Sequence, residues 1–340
     1  MVDLPVRKTL PDGFLSCRAD ELQPLLGGPC LIHLRGRTQQ AVVVSILLHG
    51  NEVSGLTVVQ NLLQQSTTMP RDLLIFVGNT RAAAAGLRRL DGQPDYNRIW
   101  AGGELKEHLM AQQVLDYAAS CNPVAAVDIH NNTGRNPLYA CINHVDRRFL
   151  RLARSFSDTI VFFSEPHQIF ANNMARYCPA VTLECGQPGD RLGIERAVDT
   201  LEYCLHSEIS AVANDDIDKV KLFHTVARMI VPPDSRIAFD QIQNLDLANA
   251  DFVFPEGFDA WNFQPLPVGT HFGVALSADK RLCVRNDAGR DITENYFSLE
   301  NGVMKTRKTF SPTMLTLDER VMVQDCVGYI MERYPHDGAH

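Results

Sequence analysis

Short apolar runs alternate with helical patterns along roughly the first 210 residues. Residues 41–49, AVVVSILLH, are β-branched and almost uninterrupted, the pattern of a strand buried on both faces. Residues 53–65 follow with apolar positions at helical spacing. Residues 72–79, 124–130 and 179–186 read as three more buried strands, and residues 104–120, 146–156 and 194–212 as helices. Strands that alternate with helices predict an α/β fold: a mixed, mostly parallel sheet sandwiched by helices. In such sheets, sites collect at the carboxyl ends of the strands.

The pattern changes after about residue 213. A polar link, VANDDID (212–218), leads into short strands and turns over 221–231, 269–276, 281–289 and 291–299. Turn signals NDAG (286–289) and ENG (300–302) punctuate them. We therefore expect a first domain over 1–213 and a smaller β-rich domain over 214–340.

Composition narrows the classes. A chain of 340 residues, 45% hydrophobic and 21% charged, is globular and not disordered. The net charge of −8 argues against a nucleic-acid partner. No run of 18 apolar residues occurs, so no membrane-spanning helix is expected. The opening residues MVDLPVRKTLPDGF lack the apolar core of a signal peptide. Nine cysteines, an odd number without a CxxC pair, read as reduced thiols, so a cytoplasmic location is expected.

Four segments carry candidate chemistry. The first strand runs into His49-Gly50-Asn51-Glu52, where an imidazole and a carboxylate three positions apart can converge on one metal ion. A strand-end histidine beside a first-turn glutamate is the plainer alternative. The third strand ends at Asp128-Ile129-His130. If it runs parallel to the first, His130 finishes at the same edge as His49, and Asp128, on the same side, can orient the imidazole. A buried histidine satisfied by backbone groups is the alternative. Glu184 lies among Val181, Leu183 and Cys185, where a carboxylate needs either a salt-bridge partner or a catalytic use with a tuned pKa. Between the histidines lies the most basic stretch, holding Arg81, Arg88, Arg89 and Arg98 together with Asn97. Its guanidinium groups suit a substrate carboxylate or a developing oxyanion; a solvated basic loop is the alternative.

Taken together, HGNE (49–52), the segment from Gly78 to Arg98, DIHNNT (128–133) and TLECG (182–186) resemble the zinc carboxypeptidase superfamily. The likeness is closer to its succinylglutamate desuccinylase/aspartoacylase branch, whose motifs occur in this order, and it covers about the first 200 residues.

The resemblance implies one zinc per chain, held by His49, Glu52 and His130, with Asp128 behind one imidazole. It implies Glu184 as general base and acid, and Asn97 and Arg98 as the pair that grips a substrate carboxylate. Arg88 polarises the scissile carbonyl, with Arg89 as the alternative. The expected activity is hydrolysis of the amide bond of a small N-acyl amino acid, with trimming of peptide C-termini as the second reading and a silent zinc-binding protein as the third. Small acyl amino acids or short peptides are the expected partners. Tyr96 and Trp100 depart from the usual residues and read as packing changes. The branch places an arginine for an acidic substrate where this chain has Asn172, with Arg176 nearby, so a neutral or less acidic amino-acid side is expected. His224, His271 and Tyr296 in the second domain read as structural.

Overall fold

Val42, Val43, Val44 and Ile46 are fully buried, as are Leu73 to Val77 and Ala125 to Val127, so the sheet is indeed covered on both faces. The computed structural model describes residues 4–65, 68–207, 220–239 and 249–334. They form two compact units, one of 1–131 and 138–222, the other of 132–137 and 223–340. The boundary expected at 213/214 lies outside the described residues.

In chain order the first unit holds β1 (Val6–Arg7), α1 (Leu22–Leu26), β2 (Cys30–Leu34), β3 (Thr38–Ile46), α2 (Ser54–Gln65), β4 (Arg71–Val77) and α3 (Thr80–Ala84). There follow α4 (Lys106–Ser120), β5 (Pro123–His130), β6 (Tyr139–Ile142), α5 (Arg147–Arg154), β7 (Thr159–Phe162), α6 (Phe170–Met174), β8 (Ala180–Glu184) and α7 (Arg191–His206). The strand order is β1-β2-β4-β3-β5-β8-β6-β7. The sheet is mixed and mostly parallel: β2 runs antiparallel to β4 and β6 to β8, while the other neighbours are parallel. The chain goes from β3 to β4 on one side and returns to β5 on the other, so β3 is the switch point where a crevice opens at the carboxyl ends. Register ties those ends together: Ile46 pairs with Ile129, and His130 with Glu184.

The apolar run 41–49 is not one strand. β3 ends at Ile46, and Leu47 takes φ +56°, a conformation rare for a bulky residue. Two backbone bonds hold it there, from Gly78 N to Ile46 O at 3.0 Å and from Asn79 N to Leu47 O at 2.6 Å. A Cβ on Gly78 would lie 2.8 Å from the Leu47 carbonyl oxygen, so glycine is what lets the β4 exit approach. Gly50 is tighter still, since its Cβ would meet the Ala83 nitrogen at 2.2 Å. α2 then covers the sheet with Leu56, Val58, Val59 and Leu62 and packs on α7.

The second unit holds β9 (Lys221–Ile230), β10 (Ile237–Phe239), β11 (Phe252–Phe254), β12 (His271–Ala275), β13 (Cys283–Arg285), α8 (Thr293–Tyr296), β14 (Phe297–Glu300), β15 (Val303–Thr306), β16 (Ser311–Thr313), α9 (Glu319–Gln324) and β17 (Gly328–Arg333). β13, β9, β17 and β16 pair antiparallel, and β10-β11-β12-β15-β14 form a second sheet. Phe252, Phe254, Phe258 and Phe272 fill its core. Residues 291–299 are not one strand: Thr293–Tyr296 forms a helical turn before β14, with Asp291 accepting from the Thr293 backbone nitrogen at 3.0 Å. The segment 132–137 belongs to this unit through Arg135, whose Nε and Nη2 donate to Asp259 Oδ1 at 3.0 and 2.8 Å.

Candidate metal and active site

Three side chains delivered by β3 and β5 converge. His49 sits two residues beyond Leu47, Glu52 two residues before the first residue of α2, and His130 at the end of β5. Donor atoms of the three lie within 4.8 Å of one another, and all three residues are buried. His49 Nδ1 lies 2.7 Å from Glu52 Oε1, and His130 Nδ1 lies 2.6 Å from Glu52 Oε2. The ring centroids are 5.0 Å apart. Both imidazoles therefore present Nδ1 to one carboxylate from opposite sides.

The outward nitrogens are held as well. His130 Nε2 lies 3.0 Å from Asp128 Oδ2, the arrangement expected of residues i and i+2 on one strand face. His49 Nε2 lies 3.0 Å from Asp95 Oδ1. No local sequence pattern marks Asp95 as a partner of His49. Asp95 also accepts from the Asn97 backbone nitrogen at 2.8 Å and caps the 3-10 turn Tyr96–Arg98. Two imidazoles and a carboxylate, each imidazole backed by a second carboxylate, match the donor chemistry of a divalent metal site with an open position. The group can hold a metal ion.

Electrostatics agree with a site for positive charge. Burial works to raise the Glu52 carboxyl, but the two imidazoles outweigh it and hold it far below the usual range. Burial likewise opposes the charge on His130, yet Asp128 and Glu52 raise its pKa well above the ordinary value. Asp95 is held well below its usual range: burial, which raises it, is outweighed by His49 and Arg88.

Arg88 faces this cluster. Its Nη1 lies 3.3 Å from Glu52 Oε1 and its Nη2 3.3 Å from Asp95 Oδ2. Arg89 instead donates to the Gln93 carbonyl of its own loop at 2.9 Å, so of the two arginines it is Arg88 that reaches the site. Asn97 is buried, with Nδ2 3.4 Å from His130 Nε2, and its Oδ1 accepts from the Phe170 nitrogen at 3.3 Å. Arg98 donates to the Asn97 carbonyl at 3.0 Å and is near enough to lower the Asp95 pKa. Glu184 ends β8 opposite His130 and is buried; burial, with the Glu52 charge adding, pushes its carboxyl up to about 7 although His130 pulls it down. That is the range useful to an acid/base group at neutral pH.

Asn131 is a second residue passed over in the sequence. Its backbone nitrogen donates to Glu52 Oε2 at 3.2 Å, its Oδ1 accepts from the Ser54 nitrogen at 3.1 Å, and its Nδ2 donates to the Gly186 carbonyl at 3.0 Å. One residue, through its backbone nitrogen and its side-chain amide, thus ties Glu52, the start of α2 and the exit of β8. Trp100 is buried, donates Nε1 to the Tyr96 carbonyl at 2.8 Å and stacks edge-on against Phe76 and Phe170, a packing role as expected. Asn172 donates to the His167 carbonyl at 3.3 Å, and Arg176 is exposed over the Tyr177 ring. In the second unit, Tyr296 is buried beneath Lys308, His224 lies edge-on to Tyr334, and His271 is exposed.

The family model for the "Succinylglutamate desuccinylase/Aspartoacylase catalytic domain" matches residues 38–206, the stretch that carries His49, Glu52, Arg88, Asp95, Asn97, Arg98, His130 and Glu184. Residues 38–206 place the chain in the succinylglutamate desuccinylase/aspartoacylase family. Family folds recur among solved structures. The succinylglutamate desuccinylase from Chromobacterium violaceum is 20% identical, with a TM-score of 0.54 over 88% of this chain and 86% of that one. A succinylglutamate desuccinylase/aspartoacylase from Rhodobacter sphaeroides is 13% identical, with a TM-score of 0.56 over 89% and 88%. Murine aminoacylase 3 is 14% identical, with a TM-score of 0.50 over 88% and 96%. At these identities the likeness is one of fold. No curated protein matches the chain in sequence. Among the described residues, no helix is long and apolar enough to cross a membrane.

Asp95 yields a prediction for this family member. Asp95→Asn keeps the shape but removes the charge behind His49, and we expect metal affinity to fall by roughly 10–100-fold. Titration of the metal-free protein with zinc against a competing chelator measures it. Unchanged affinity would leave Asp95 a turn cap and nothing more.

Proposed function

We propose that the protein is a zinc-dependent amidohydrolase that removes the acyl group from a small, carboxylate-bearing N-acyl amino acid. The observation that carries this reading is the buried His49–Glu52–His130 group, with Glu184 at the same sheet edge and its carboxyl near neutrality. One zinc per chain is held by His49, Glu52 and His130. A zinc ion held there would supply a Lewis acid and make water more acidic. Asp95 and Asp128 keep the two imidazoles oriented, with Nδ1 inward. Glu184 takes a proton from the attacking water and delivers it to the leaving amine. Arg88, already drawn to the site by Glu52 and Asp95, turns its positive charge toward the developing oxyanion. Asn97 and Arg98 hold the substrate carboxylate next to the scissile amide.

The test is zinc content together with amine release from matched acetyl and succinyl amino acids, run beside their amides and short peptides. Masking the carboxylate as an amide should lower kcat/KM roughly 10–150-fold, the effect of losing a charge-assisted contact of about 1.5–3 kcal/mol. Equal rates for free and amidated substrates would remove Asn97 and Arg98 from that role. Peptides outrunning every acyl amino acid would make the protein a carboxypeptidase. With Asn172 bound to its own loop, N-acetylaspartate should not be preferred; a wide margin in its favour would overturn that specificity.

A further inference from the structure

A cavity lies beside the loop that carries Asp95. It has a volume of about 730 Å³, and its wall includes the stretch 90–94 and Tyr96, flanking the Asp95 that faces His49. Its other side is the start of α4. None of the residues assigned above to metal, proton transfer or substrate carboxylate lines it.

Glu107 is out of place in this cavity. The residue is only 9% exposed, yet no hydrogen bond to its carboxylate is found among the described residues. Its ionic neighbour is the mostly exposed Lys106, whose Nζ is 3.7 Å away, beyond hydrogen-bond reach. The side chain keeps 11% of its surface open, so a ligand cation that enters the cavity can reach the carboxylate beside its one loose ion pair. Tyr96 lines the same space, 6% exposed. Burial, with the Glu107 charge adding, pushes its hydroxyl up to about 12. Arg81 on the cavity wall is exposed to solvent, and no hydrogen bond or ion pair to it is found among the described residues. The remaining wall is largely apolar, with Leu90 and Met110.

A carboxylate beside an aromatic ring suits an ammonium group, and an uncommitted guanidinium suits a carboxylate. An apolar wall between them suits a hydrocarbon side chain. We propose that this cavity is a second, non-catalytic site for a free α-amino acid with an apolar side chain, with Glu107 and Tyr96 taking the ammonium and Arg81 the carboxylate. Its bearing on turnover rests on the deacylase reading, because a free amino acid is then a product. Occupancy braces the loop that presents Asp95 to His49, so product acts back on the site without entering it.

Calorimetry of the full chain with leucine tests binding independently of activity. A His130→Ala chain, in which a site needing the metal is disabled, should still bind one leucine. Glu107→Gln should weaken that binding by roughly 10-fold or more, and so should Leu90→Trp, which fills the cavity. Leucine amide and butylamine should each bind at least roughly 10-fold more weakly than leucine. With the wild-type chain and saturating acyl amino acid, leucine should change turnover, and in Glu107→Gln it should not. The proposal is overturned if leucine fails to bind, or if binding vanishes both in His130→Ala and in Asp128→Asn/His130→Ala, which strands no buried charge. Binding indifferent to both cavity variants also overturns it, as does leucine inhibition that is purely competitive and survives Glu107→Gln. A chain that binds leucine as described but releases no amine from any substrate keeps the cavity site and discards the deacylase reading.

Discussion

Glu184→Gln should lower turnover by roughly 10²–10⁴-fold, the usual contribution of a positioned acid/base group, while the fold and the zinc content stay as they are. The amide conserves size and can accept or donate hydrogen bonds, but it cannot take a proton. Glu184 closes β8 in register with His130, so the change touches the sheet edge and not its core. Burial keeps the carboxyl up near 7, which poises it to exchange a proton at neutral pH. Steady-state kinetics beside thermal melting and metal analysis separate the possibilities. Rates within twofold of the parent would take Glu184 out of the mechanism. A chain that no longer folds would mean that Glu184 serves as a buried structural carboxylate.

His130→Ala should abolish both zinc retention and turnover. Two remaining ligands, His49 and Glu52, cannot close a three-donor site, and the loss should exceed the roughly 10–100-fold caused by removing an outer carboxylate. The substitution also leaves Asp128 without the imidazole it faces at 3.0 Å, and its Oδ1 is already buried with no partner. A buried carboxylate stranded in this way destabilises the fold, so a lowered melting temperature is expected as well. Elemental analysis of protein purified without chelators decides the ligand assignment. Full zinc occupancy in His130→Ala would show that the metal sits elsewhere. The companion variant Asp128→Asn/His130→Ala, which removes the stranded charge, keeps the metal result readable should the single variant fold poorly.

The chain's own pattern was enough for the centre of the first unit. β3, β4 and β5 are long and largely apolar, as strands covered on both faces are, and β8, no longer than β2, lies in the apolar run 179–186 closed by Gly186. His49, Glu52, His130 and Glu184 were legible for a related reason: polar residues directly after or within such runs stand out against them. β1, β2, β6 and β7 went unread, since two to five residues carry too little periodicity to separate strand from loop. The turn at Leu47 was hidden in an apolar run, because its left-handed backbone is imposed by bonds from Gly78 and Asn79, some thirty residues away. Asp95 lies 46 residues from His49, and Asn131 lies 77 from Ser54, and nothing local in the sequence marks either pairing. That Arg88 lies near Glu52 while Arg89 donates to the Gln93 carbonyl likewise depends on how the folded loop turns. Chemistry confined to one strand end is written in the order of residues. Chemistry that joins strand ends to a loop appears only once the parallel sheet has set β3, β5 and β8 side by side.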